Sequence, residues 1–109
     1  MAKAPPSKQR DRINPYFPAL VDYTNDVIYG DLWERTGISK RDRSLITIAM
    51  LAATHRPMQF KTHVRRALGN GVTKEEIAEV VTHVAFYAGW PAAMTAAQAA
   101  VDVYDGEAD

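Results

Sequence analysis

The stretch that decides the fold is MQFKTHVRRALGNGVTKEEIAEVVTHVAFYAGWPAA, residues 58–93. Its apolar residues recur at helical spacing rather than in the alternation of a strand. Phe60, His63, Val64, Ala67 and Leu68 fall on one side of a helix, with Lys61, Arg65 and Arg66 turned towards water. Gly69-Asn70-Gly71 ends that helix, because Gly and Asn tolerate the left-handed conformation found at helix stops. Thr73 and Glu76 then fit a capping box, in which each side chain satisfies a first-turn N–H of the next helix. That helix runs to about Ala88, with Ile77, Val80, Val81, Val84 and Phe86 apolar. Gly89-Trp90 interrupts it, and Pro91 restarts a further helix at the position where a missing N–H costs least. The continuation, AAMTAAQAAVDVY (92–104), is small-sided, so its backbone can approach another helix closely.

Upstream, ISKRDRSLITIAMLAAT (38–54) reads as a helix with Ser39 as N-cap. Ile46, Met50 and Ala53 share a face that Leu45, Ile48, Ala49 and Ala52 widen, so this helix is expected to be buried. YFPALVDYTNDVIYGDLWERTG (16–37) places Leu20, Tyr23 and Val27 at helical spacing, with Pro18 in a first turn and a break at Gly30. Residues 1–14 are polar, contain Pro5-Pro6, lack periodicity and read as a disordered tail. Residues 15–105 read as one all-α domain of about five to six helices. No strand signal, internal repeat or Gly-rich phosphate loop is present.

Composition excludes several classes of function. Thirteen basic and thirteen acidic residues cancel, which argues against nucleic acid or an acidic membrane as partner. The charges gather at the ends, Lys3, Lys8, Arg10 and Arg12 against Asp102, Asp105, Glu107 and Asp109, and read as solvated termini. With no cysteine, disulfides, thiol redox chemistry and Cys-ligated zinc are excluded. No secretory signal or membrane-length apolar run is seen, so a cytoplasmic protein is expected. A domain this small has a high surface-to-volume ratio, which favours oligomers.

Three segments, SKRDRSLITIAMLAA (39–53), THVRRALGNGVTKEEIAEVV (62–81) and HVAFYAGWPAA (83–93), together resemble the carboxymuconolactone decarboxylase family in order and spacing. The resemblance runs from about Ile38 to Val103 and implies an alkyl hydroperoxidase D-like helical fold assembled as a ring-like homo-oligomer, a trimer or hexamer. One branch of the family uses a Cys-x-x-Cys pair before a histidine. Arg56 and Gln59 stand at those positions here, so thiol peroxidase chemistry is excluded. The other branch resembles cofactor-free decarboxylases of aromatic catabolism, which act on a small-molecule carboxylate, a carboxylated lactone.

That chemistry needs a cation for a substrate carboxylate, donors for a developing enolate oxygen and an acid poised near neutral pH. His63 matches the family's histidine and is the first candidate for the acid; the alternative is a core histidine bonded to a backbone carbonyl. Arg43 is the candidate anchor, with Arg41 as competitor, and Ser44 contributes a hydroxyl. His83 and Tyr87, four residues apart, share a helical face and are candidates for orienting or donating groups. Trp90 is expected to wall a pocket that a neighbouring subunit closes against the alanine helix. Glu76 reads as a cap rather than a catalyst, and His55 as a surface residue. The three histidines lack the spacing of a helical zinc site, so no metal is expected. The alternatives are a non-enzymatic oligomer that binds a ligand or partner, and a related lyase, hydrolase or isomerase acting on another small acid.

Overall fold

A computed structural model describes residues 4–107. Lys3 and Asp109, both counted among the charged termini, lie outside the described residues. The chain's contacts gather into two compact units, one up to Lys40 and one from Arg41 onwards.

The first unit starts within the stretch that composition reads as a tail. Helix α1 covers Lys8–Ile13. Two interactions order it. The Ser7 hydroxyl accepts from the Arg10 backbone N–H at 3.2 Å as N-cap. The Arg10 guanidinium donates to Asn25 Oδ1 at 2.6 Å and to the Pro5 carbonyl, and lies 5.0 Å from the centre of the Tyr29 ring. Helix α2, Pro18–Tyr23, has its proline in the first turn and widens into a π-helical turn over Thr24–Tyr29. Gly30 closes that turn where an added Cβ would collide with the Asp26 carbonyl, so only glycine fits this close backbone approach. A 3₁₀ turn, Leu32–Glu34, follows.

The second unit is built from four helices. Helix α3, Lys40–Ala53, begins directly after Ser39. Helix α4, Pro57–Gly69, starts on proline, and helix α5, Lys74–Ala88, opens on the expected capping box. In that box Thr73 N–H donates to Glu76 Oε1 at 3.0 Å and Glu76 N–H to Thr73 Oγ1 at 3.1 Å. Gly89, at φ 123°, separates α5 from helix α6, Trp90–Tyr104. Among the described residues no strand is present, and no helix is long and apolar enough to cross a membrane.

Helix α6 packs against both α4 and α5. Its alanines make this possible: Ala93, Ala96, Ala99 and Ala100 are buried among Phe60, Val64, Ile77 and Val81. These four small side chains serve packing within the chain. Helix α3 is amphipathic, not buried all round. Ser44, Ile48 and Ala52 face the core, whereas Ile46 and Met50 are about half exposed on the other side. The acidic end is also more engaged than a solvated terminus. Lys61 Nζ pairs with Asp102 Oδ2 at 3.1 Å and Glu107 Oε1 at 2.8 Å, and Arg65 Nη2 donates to the Glu107 carbonyl at 2.8 Å.

The packing of α6 is directly testable. Ala96 is 2% exposed, so Ala96→Leu is expected to lower stability by about 1–3 kcal/mol through overpacking. A urea denaturation midpoint measures the loss.

Candidate active site

His63 sits in the middle of α4, one residue before the fully buried Val64. The helix register that sends Phe60, Val64 and Ala67 into the core leaves His63 on the shoulder of that face, mostly covered. Burial penalises the imidazolium and pushes the His63 pKa below its ordinary value. Its Nδ1 is shielded from solvent, as is Nε of Arg43 on α3. His63 and Arg43 thus combine a titratable ring and a cation that are both partly withdrawn from water.

The two arginines differ in their commitments. The Arg41 guanidinium is paired with Glu76 at the start of α5. The hydrogen bond to Glu76 holds the arginine charged, and in return Arg41, with help from the Thr73 N–H, holds the Glu76 carboxyl below the usual carboxylate range. Arg41 therefore ties α3 to α5, and Glu76 acts in both the cap and the pair. Arg43 lies two residues on, half-buried, and its carbonyl accepts from the Thr47 hydroxyl at 2.7 Å.

Ser44 is completely buried, and its Oγ accepts from Asn70 Nδ2 at 3.0 Å. In this structure its hydroxyl serves the packing of α3 against the α4–α5 loop rather than an open pocket. Asn70 is a structural tie that the sequence does not announce; the Gly-Asn-Gly motif signals a helix stop, not a side-chain bond 26 residues away.

The aromatic candidates are placed differently. His83 and Tyr87 stack with ring centres 4.7 Å apart and planes 14° from parallel, as their spacing on α5 predicts. Phe86 and Trp90 meet edge to face across the Gly89 break, 5.6 Å apart and at 89°. All four are exposed: Tyr87 is 83%, Phe86 75% and Trp90 56% accessible. A single chain therefore does not wall a pocket with these rings, and His63 and His83 occupy opposite environments, one covered and one in solvent. Met94, one turn beyond Trp90, extends the exposed apolar surface.

His55 is exposed, as expected, but its backbone is unusual. Among the described non-glycine residues it alone has positive φ, 61°. Its Nε2 is 3.4 Å from Thr95 Oγ1, joining the α3–α4 turn to α6. Among the described residues no group of three or more histidine or carboxylate side chains is placed to hold a metal.

The family model described as the carboxymuconolactone decarboxylase family matches residues 18–102. The chain is 33% identical over 98 residues to a 4-carboxymuconolactone decarboxylase of Acinetobacter baylyi, covering 90% of this chain and 73% of that protein. It is 37% identical over 68 residues to the nitrosuccinic acid decarboxylase npaB of Metarhizium robertsii, covering 62% of this chain and 48% of that protein. An uncharacterized 15.0 kDa protein of Paracoccus denitrificans is 35% identical over 82 residues, 72% of this chain and 60% of that protein. The all-helical fold, the capped α5 and the match over α2 to α6 agree: the chain belongs to the carboxymuconolactone decarboxylase family.

Proposed function

We propose that this protein is a carboxy-lyase that removes carbon dioxide from a small activated acid, with a γ-carboxylated lactone such as γ-carboxymuconolactone as its substrate. The observation that carries the reading is the covered position of His63 on α4; burial disfavours its imidazolium in the free protein, so a bound carboxylate must restore the proton for it to act as an acid. Two relatives named as decarboxylases support the reaction class. Their named substrates suggest a shared requirement: each acid carries a group, a lactone carbonyl or a nitro group, that can receive the electron pair of the breaking bond.

In the lactone the bond between the γ carbon and its carboxylate breaks, and carbon dioxide leaves. The electron pair passes through the ring double bond to the lactone carbonyl oxygen and gives an enolate. His63 as imidazolium then protonates a ring carbon, and solvent reprotonates the histidine. Because the substrate is its own electron sink, the step requires no cofactor. Arg43 anchors a substrate carboxylate, while His83 and Tyr87 supply donors to the enolate oxygen once they are covered. Their exposure in the single chain supports self-association in which a neighbouring copy closes over the aromatic face, and the family resemblance implies a ring-like trimer or hexamer.

Carbon dioxide release from γ-carboxymuconolactone tests the reading. His63→Gln is expected to reduce kcat about 10²- to 10⁴-fold at unchanged oligomer size. An inactive wild type would remove the reaction, and an active variant would move the acid elsewhere.

The pH profile gives a second test. A general acid must be protonated, so kcat/KM should fall as pH rises through the free-enzyme pKa of His63, below about 6.5. A bound carboxylate favours the imidazolium, so kcat should persist to higher pH than kcat/KM. A profile that rises through this range would assign His63 as a base instead.

The arginines are separable. Arg43→Ala is expected to raise KM about 10- to 100-fold through loss of a charge-assisted hydrogen bond. Arg41→Ala should lower the denaturation midpoint, by releasing Glu76, with little change in KM.

A further inference from the structure

The outer face of α5 and α6 carries a groove of about 270 Å³ whose lining includes none of the candidate catalytic residues. Its origin is the alanine composition of α6. Ala97 and Ala100 face Ala78 across the two helices, and the missing side-chain bulk leaves a furrow. Ile77 and Val81, buried at 1% and 8% exposure, form its apolar floor. Its one hydroxyl away from the ends, that of Thr82, is turned back onto the Ala78 carbonyl at 2.8 Å. The body of the groove thus offers apolar contact, with the Thr82 hydroxyl hydrogen already committed.

One end is different. Lys74, on the first turn of α5, places its ammonium 4.7 Å from the centre of the Tyr104 ring. The phenol is partly covered, and burial together with the nearby Glu75 carboxylate raises its pKa, so it remains a neutral donor at physiological pH. Of the acidic groups of this turn, Glu76 is held by Arg41 and the Thr73 N–H. Glu75 acts on Tyr104 electrostatically and so tempers the positive potential at this end.

We propose that this groove is a second binding site, for a small monocarboxylate with an apolar body. The aryl or branched alkyl part lies on Ile77, Val81 and the alanines, and the carboxylate meets Lys74 and the Tyr104 hydroxyl. The volume lies just under the usual range of small-molecule pockets, which fits an acid of benzoate size. The site shares no residue with the decarboxylase reading, but Thr82 and Val101 continue the faces of Phe86 and Met94, so it requires that a copy covering those rings leaves this end of α5 and α6 open.

Benzoate titrated into the wild-type protein, followed by amide NMR shifts, tests this site. A Kd on the order of 1 mM is expected for so small a ligand, with shifts centred on residues 74–82 and 97–104. Ala97→Leu, at a partly buried position on the edge of the core, narrows the furrow and should abolish these shifts, with the remaining amide spectrum reporting that the protein stays folded. Lys74→Gln should weaken binding about tenfold, and Glu75→Gln should tighten it. Benzyl alcohol, which lacks the charge, should bind at least tenfold more weakly. Equal binding of benzyl alcohol, or indifference to the charge changes, would overturn the carboxylate assignment. Loss of oligomer in Ala97→Leu, with no benzoate binding to the wild type, would make the groove a seam between copies and overturn the proposal.

Discussion

The close approach of α6 to α4 and α5 is the constraint on which the rest of the second unit depends. A helix can approach two neighbours at once only if the side chains on its buried face are short. Ala93, Ala96, Ala99 and Ala100 meet that condition, and the bulk is supplied from the other side by Phe60, Val64, Ile77 and Val81. Alanine contributes little area of its own, so the hydrophobic stabilisation of this core resides mainly in what α4 and α5 bury against it. The same arrangement sets the register of α4, and with it the covered position of His63.

The proposed function rests on how the unit divides its chemistry. The groups partly withdrawn from water, His63 and Arg43, lie on α4 and α3. The groups left in water, His83, Phe86, Tyr87 and Trp90, lie at the α5–α6 junction. Two ring pairs and Met94 side by side make a contiguous apolar patch of the kind that marks an interaction surface. Assembly through that face would bury them and change their dielectric surroundings, while the groups on α3 and α4 are already shaped within one chain.

Much of the second unit is legible in its sequence. Gly69-Asn70-Gly71, the Thr73–Glu76 box and the Gly89-Trp90-Pro91 break are local signals, and each sits at a helix boundary. The stacking of His83 on Tyr87 follows from a four-residue spacing alone. The information that is not local is harder to read. Periodicity identifies α3 as a helix, yet nothing in its composition says that Ile46 and Met50 would be left outside. The capping role of Ser7 lies in a stretch whose composition favours disorder, and it takes Arg10 reaching Asn25 and Tyr29 to hold that helix. Ser44 looks like a site hydroxyl until Asn70, remote in sequence, is seen to bond it. Arg41 and Arg43 are indistinguishable as residue types, and only the position of Glu76 separates them.

Glu76 answers to two partners at very different distances along the chain. The Thr73 bond spans three residues and forms with the first turn of α5, whereas the Arg41 pair closes a loop of 35. Local contacts of the first kind form early in folding, and long-range ones wait for the chain to close. The Thr73 bond already restricts the orientation of the Glu76 carboxylate, so pairing with Arg41 has less side-chain entropy to overcome, and the two helix ends support one another.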